Sequence, residues 1–250
     1  MTLFNERIKD ICLKEILLLI FFLYFVKLVV SLFAISLSES WISLGIILFF
    51  IYRLRNYYSE FKLDITGIFS GVSFKKVLYI VLLNVFFSYG MLYLTNYLMV
   101  SFPFLTTLNS SLMSIIAYVG SFLSVIVISP VVEELLFRGV VFNKLNLIIP
   151  VKFSIFASSL LFAALHPVGV IFSAAVFGIC MAILYIKSGN IILPVFAHFL
   201  NNLIAESIVF LDKEDLMFSN DLVVSVISVL SVVSFILILK FFADELNSIK

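Results

Sequence analysis

Charge is scarce in this chain. Only 12% of its 250 residues are Asp, Glu, Lys or Arg, 63% are hydrophobic, and the mean hydropathy is +1.24. Soluble domains are about a quarter charged, so a water-solvated fold is excluded and a polytopic membrane protein is expected. The few charges nearly cancel, to a formal net of +1, which leaves no electrostatic footprint for nucleic acid. Cysteine is limited to Cys12 and Cys180, far apart and with the second in an apolar run. That excludes the disulfide framework of small secreted domains. Histidine is limited to His166 and His198, neither of them in a loop. There is no low-complexity segment, no appended soluble domain and no internal repeat. The opening "MTLFNERIKDICLKE" is mixed in charge and runs into a stretch too long for a signal-peptide core. No small-residue cleavage pattern follows it, so it is expected to be retained.

What the chain does have is long apolar runs. A transmembrane helix needs about 20 mostly apolar residues, and eight spans are expected, near 16–37, 40–52, 77–100, 112–134, 152–166, 168–186, 190–210 and 221–242. The fold class is therefore all-α, a single integral membrane domain over 1–250. "HPVG" at 166–169 is the one turn signal between the fifth and sixth spans, which predicts a tight helical hairpin. The mixed basic and aromatic stretch 53–76 reads as a segment lying in the membrane interface. With the N-terminus in the cytosol, every lysine and arginine falls on the cytosolic side except Lys27, inside the first span, and Lys213. The positive-inside rule thus gives both termini to the cytosol.

Against this apolar background, "SPVVEELLFRG" at 129–139 stands out. Glu133, Glu134 and Arg138 follow a run from Leu112 to Val132 without a single charge. Ionisable groups at membrane depth are costly and persist there with a role. Arg138 lies four residues after Glu134, so the two share a helix face and can pair. Glu133 is turned about 100° away and is free to point elsewhere. His198 and Asn202 are also four apart, in "PVFAHFLNN", with Asn201 pointing away; Phe162 and His166 repeat the spacing in "LLFAALHP". Glu206 follows Asn202 by four, at the outer end of the seventh span. From the expected cytosolic ends, Glu134 and His198 lie about 12 Å deep, Asn202 about 18 Å and His166 about 22 Å. Each polar residue taken alone also has a plainer reading. The glutamates and Arg138 would mark a cytosolic helix end, and the histidines and asparagines would make interhelical hydrogen bonds.

Taken together, "EELLFRG" at 133–139, "FAALH" at 162–166 and "HFLNN" at 198–202 resemble the motifs of the CAAX protease and bacteriocin-processing family, also called the abortive-infection family, of intramembrane proteases. All three occur in order within a core of about 112–210 and take in both histidines of the chain. The resemblance implies a peptidase with an intramembrane polar cavity reached from the cytosolic side. By motif position, it implies that Glu133 and His166 activate water, that His198 and Asn202 stabilise the oxyanion, and that Glu134, Arg138 and Phe162 support the site. The residues are chemically suited to this. Amide hydrolysis needs a base that later acts as acid and donors aimed at the oxyanion from rigid elements. No serine or cysteine stands in the motifs as a nucleophile. No cofactor is favoured. A zinc-dependent version stays open, with Glu133, His166 and His198 as two histidines and one carboxylate, although the helix lacks the second histidine of an HExxH site.

The expected partners are a peptide or protein substrate and the lipid bilayer. The richness in Phe, Ile, Leu and Asn suggests an AT-rich bacterial genome, hence a bacterial cell membrane. Two other classes fit the same inventory. One is a non-enzymatic bacteriocin-immunity or peptide-binding membrane protein. The other is a transporter with a Glu/His proton relay, against which stands the lack of repeats and of paired broken helices. Cleavage of a peptide by purified protein, compared with a Glu133 variant, separates the three.

Overall fold

The computed structural model describes residues 2–35, 37–38, 40–101, 122–212, 214 and 216–249. Among these there is no β-strand. A short amphipathic helix, α1 (Leu3–Asp10), buries Phe4, Asn5 and Ile8 at helical spacing, and its N-terminus is capped by the Thr2 hydroxyl. Then follow α2 (Leu13–Ser31), α3 (Ser40–Leu54), a 3-10 turn at Arg55–Tyr57, α4 (Tyr58–Thr66) and α5 (Phe74–Ser101). Helix α6 is described over 122–145. It is followed by α7 (Val151–Ala163), α8 (Ile171–Ser188), α9 (Ile192–Leu211) and α10 (Asp221–Ser248), with one helical turn at Leu216–Ser219 before α10.

Four of these, α5, α8, α9 and α10, are long and apolar enough to cross a membrane. The other expected spans have identifiable departures. Helix α2 matches the first in position but carries Lys14, Glu15 and Lys27. Helix α3 has 15 residues and α7 has 13, roughly 20 Å each at 1.5 Å per residue. Residues 112–121 of the fourth expected span lie outside the described residues, and from 122 the helix runs on past 134 to 145. The fifth was expected to reach His166 but ends at Ala163. Pro167 accounts for this, because the residue before a proline is pushed out of the helical region.

Helix α8 is the centre of the bundle. Cys180 through Tyr185 are all at most 1% exposed, which explains why this segment is apolar all round. By contrast Phe21, Phe22 and Leu28 of α2 are 58–71% exposed, as expected of side chains whose solvent is lipid. Helices α5 and α10 approach so closely that a Cβ on Gly90 would stand 2.2 Å from that of Ser231. Small residues at such crossings are the usual device of membrane bundles.

The polar ends of the helices gather on one face. The Asp64 carboxylate of α4 accepts from the Thr2 hydroxyl (2.8 Å) and Asn5 Nδ2 (2.7 Å). Asn5 Oδ1 accepts from the Ile191 amide at the head of α9 (2.8 Å). Asn190 Nδ2 donates to the Asp64 carbonyl (2.9 Å). Lys144 at the end of α6 donates to the Lys9 carbonyl (2.6 Å), and Glu245 of α10 pairs with Lys76 and Lys187. The basic segments that the charge count assigned to one side thus meet one another. The stretch 53–76 lies on this same face, with Asp64 buried and not lying free on the surface.

Candidate active site

Helix α6 carries the first motif, and it is not a uniform α-helix. Ser124–Ile128 and Leu135–Phe142 are wound as π-helix around an α-helical Ser129–Glu134. Such stretches are rare and recur at functional sites. The first has a local cause. Pro130 has no N–H, so the Val125 carbonyl, its partner in an i→i+5 ladder, is left without an intrahelical donor. Asn202 Nδ2 of α9 takes that place at 2.9 Å. At the end of the second, Asn143 Nδ2 covers the Arg138 and Gly139 carbonyls (2.9 and 2.7 Å) and reaches the Tyr185 hydroxyl (3.0 Å).

Arg138 and Glu134 are 1% and 0% exposed. Arg138 Nε is 3.2 Å from Glu134 Oε2, at an angle outside hydrogen-bond geometry, so their attraction is that of an ion pair. Arg138 Nη2 donates to the Gly178 carbonyl at 2.9 Å, and the guanidinium lies 4.6 Å from the Phe162 ring centroid. Gly178 keeps this approach close: an added Cβ would be 3.0 Å from Ser159 Cβ and 3.2 Å from the guanidinium, so both would have to give way.

Glu134 has a second partner that the spacing argument did not give it. His198 Nδ1 is 2.9 Å from Glu134 Oε1. The opposite ring nitrogen, Nε2, then faces Glu133 Oε2 at 3.8 Å. Glu133 is the more open of the pair, with its side chain 25% exposed, and its Oε2 has no hydrogen-bond partner. A continuous chain therefore runs Arg138, Glu134, His198, Glu133. Phe177 packs edge-on against the His198 ring at 4.8 Å and locks it from the other side.

His166 lies in the turn after α7. Its Nδ1 takes the Phe162 carbonyl as partner at 3.0 Å, and its ring packs 4.6 Å from that of Phe162, whose centroid is 6.0 Å from His198. Phe162 is thus the shared wall of both histidines and Arg138. His166 makes no hydrogen bond or ion pair with Glu133, His198 or Asn202. Asn201 Nδ2 donates to Asn202 Oδ1 at 3.3 Å, and its own Oδ1 is buried without a partner. Among the described residues no three His, Cys, Asp or Glu side chains stand close enough to hold a metal ion. Glu133, His166 and His198 do not stand as such a group in this structure, where His166 is turned onto the Phe162 carbonyl through Nδ1.

Cavities among the described residues include three lined by, respectively, Asn146 and Lys187, Arg7 and Arg55, and Phe137 and Leu165. None of the three is lined by Glu133, His166, His198 or Asn202. The apolar one, about 370 Å³, passes Phe137 and Leu165 immediately beside the site.

Residues 115–204 match the family model for type II CAAX prenyl endopeptidase Rce1-like proteins. This stretch is similar to an Rce1-like domain. It spans the described parts of α6, all of α7 and α8 and α9 as far as Ile204, and holds all three motifs. It agrees with the CAAX protease and bacteriocin-processing resemblance, and the Rce1-like family implies CAAX-type protease activity within a membrane. No curated protein and no solved structure matches the chain.

Residues outside the motifs also hold this stretch in place, and the motif reading missed them. Gly189 ends α8 in the left-handed conformation (φ 62°), and the Asn190 side chain then accepts from the Ile192 amide at 2.9 Å. The "SGN" run before α9 was the available signal for this stop and cap. Asn5 and Asp64 gave no signal, since their partners are 186 and 126 residues away. Gly139, last residue of the first motif, admits Ile8 of α1, whose Cγ2 would be 2.6 Å from an added Cβ.

Proposed function

We propose that the chain is an intramembrane endopeptidase that hydrolyses a peptide bond of a membrane-associated or precursor peptide with water activated by Glu133. The observation that carries this reading is the chain from Arg138 through Glu134 to His198. It fixes the imidazole so that Nε2 looks toward Glu133 Oε2, which accepts no hydrogen bond. Glu133 takes the proton of the attacking water, assisted by His166, and later gives a proton to the leaving amine. The electron pair of the carbonyl moves onto its oxygen. With Nδ1 held by Glu134, His198 presents Nε2 to that oxyanion as a donor. The Asn202 amide has a second N–H beyond the one given to Val125, and this donates to the same oxygen. The C–N bond breaks as the tetrahedral intermediate collapses.

In this reading the chain crosses the bilayer eight times around a polar cavity open to the cytosol. Both termini are cytosolic and the membrane is that of a bacterial cell. Support comes from the bias of lysine and arginine and from the meeting of the basic segments on one face. No step needs a metal. The deciding experiment is Glu133→Gln, which keeps the shape and removes the base. Purified Glu133→Gln protein should express and melt like wild type and cleave nothing. Turnover at the wild-type rate would remove Glu133 from the mechanism.

A further inference from the structure

A polar cavity of about 320 Å³ opens between α1 and the end of α3, well away from Glu133 and the histidines. Three guanidinium groups line it, from Arg7, Arg53 and Arg55, together with Asn56 and Tyr57. One carboxylate lines it too: Asp10, 3.0 Å from Arg7 Nη1. A second, Glu15, stands 3.3 Å from Arg53 Nη2 at its edge. The balance is three cations against two anions. Arg55 has no acidic partner among the described residues. It stacks on the Tyr52 ring at 4.2 Å and donates from Nη1 to the Tyr52 carbonyl at 3.2 Å. Each guanidinium has five N–H donors, and with the Arg7 and Arg53 side chains 48% and 39% exposed these stay accessible to an anion from outside. The volume is at the lower end of small-ligand sites: it admits a phosphate and its ester carbons and no folded partner.

The surroundings identify the kind of anion. On α3, Ile42, Ile46, Phe50 and Leu54 are buried against the bundle, while Leu44, Leu48 and Ile51 are 47–64% exposed on the other side. This exposed stripe runs at helical spacing straight up to Arg55. A ligand seated at the arginines with its remainder on the stripe must be an amphiphile with an anionic head. The cavity also lies on the face where the basic segments converge, and basic pockets on that side of membrane proteins hold anionic headgroups. We infer that this cavity binds the phosphate headgroup of an anionic phospholipid, with its acyl chains along Leu44, Leu48 and Ile51. Arg7 belongs to α1, the helix whose Asn5 and Ile8 reach α9 and α6, so an occupied site holds α1 against both.

The test uses the full chain, delipidated in detergent and read without any peptidase assay. A failure here therefore leaves the endopeptidase reading intact, and the reverse also holds. Phosphatidylglycerol, phosphatidylcholine and inorganic phosphate are titrated separately, with bound lipid counted by native mass spectrometry and the melting temperature followed in parallel. Phosphatidylglycerol should be retained in preference to phosphatidylcholine and should raise the melting temperature by mass action. Arg55→Gln and Arg7→Gln should each weaken phosphatidylglycerol about fivefold, the usual effect of one basic residue at a membrane surface. Lys240→Gln, exposed on α10, should change nothing. Arg55 lacks an acidic partner, so Arg55→Gln orphans no carboxylate and decides the matter alone if Arg7→Gln misfolds. Equal binding of the two lipids, or wild-type affinity in Arg55→Gln, would overturn the proposal. Inorganic phosphate that stabilises the protein as strongly as the lipid, and displaces it, would make this a free-anion site and sink the lipid assignment.

Discussion

Arg138 is the residue on which most of the site leans. It is fully buried, paired with Glu134, bonded to the Gly178 carbonyl and stacked on Phe162. Truncating one partner of a buried pair costs about 3–5 kcal/mol, because the remaining charge is stranded. Arg138→Ala should therefore lower the melting temperature as well as activity. A variant that melts with wild type would contradict the pairing. Asn202 poses a different question, since it ties α9 to the Val125 carbonyl and is also the proposed oxyanion donor. Losing the tie alone costs about 1 kcal/mol of stability and leaves turnover intact. Losing an oxyanion donor lowers kcat by about 10²–10³-fold with KM little changed. We expect both effects in Asn202→Ala. Asn201→Ala removes only the long 3.3 Å bond to Asn202 Oδ1, while Asn202 stays anchored on Val125, so the variant should keep most of its turnover. If kcat follows Asn201 and not Asn202, the assignment of the donor fails.

Among the elements, α5 and α10 show how a single small residue fixes a crossing. A Cβ at Gly90 would meet Ser231 Oγ at 1.9 Å and its Cβ at 2.2 Å, closer than rotation of a serine can relieve. Gly90→Ala should destabilise by about 1–3 kcal/mol, as overpacking does, although alanine favours the helix. Thermal melts of Gly90→Ala and of Gly90→Ala/Ser231→Gly would check this, the second change restoring the space. If Gly90→Ala raises the melting temperature, helix propensity outweighs the crossing. Helix α6 shows the reverse case, a distortion put to use. Pro130 leaves the Val125 carbonyl open, and α9 is docked through it.

For the molecule as a whole, the polar cluster of Asp64, Thr2, Asn5 and Asn190 joins α1, α4 and the head of α9. Burial pushes the Asp64 carboxyl above its ordinary value, and the Thr2 and Asn5 hydrogen bonds offset this only in part. The folded chain therefore holds that proton more tightly than the unfolded one. The stability from this group is fully present below the ordinary carboxylate value and is lost as pH rises through the folded value. Asp64→Asn keeps an acceptor for Thr2 and Asn5 and carries no charge at any pH. Its melting temperature should gain on wild type as pH goes from 4 to 7. A wild type more stable than Asp64→Asn at pH 7 would show that the ionised carboxylate earns its place through those hydrogen bonds.

The sequence by itself determined the all-helical membrane character, through scarce charge and long apolar runs. It also gave the pairing of Glu134 with Arg138, because four-residue spacing is local and the pair survives even where the helix widens. It showed Phe162 stacked under His166 for the same reason. Contacts between helices were beyond it. The second partner of Glu134 is His198, 64 residues on. Asn202 meets Val125 only because Pro130 freed a carbonyl on another helix, and Asn5 reaches Ile191 across nearly the whole chain. Periodicity fixes which residues share a face of one helix. Which face meets which neighbour, and at what depth, is set by packing volumes such as Gly139 against Ile8 and Gly178 against Ser159, and those exist only once the helices are assembled.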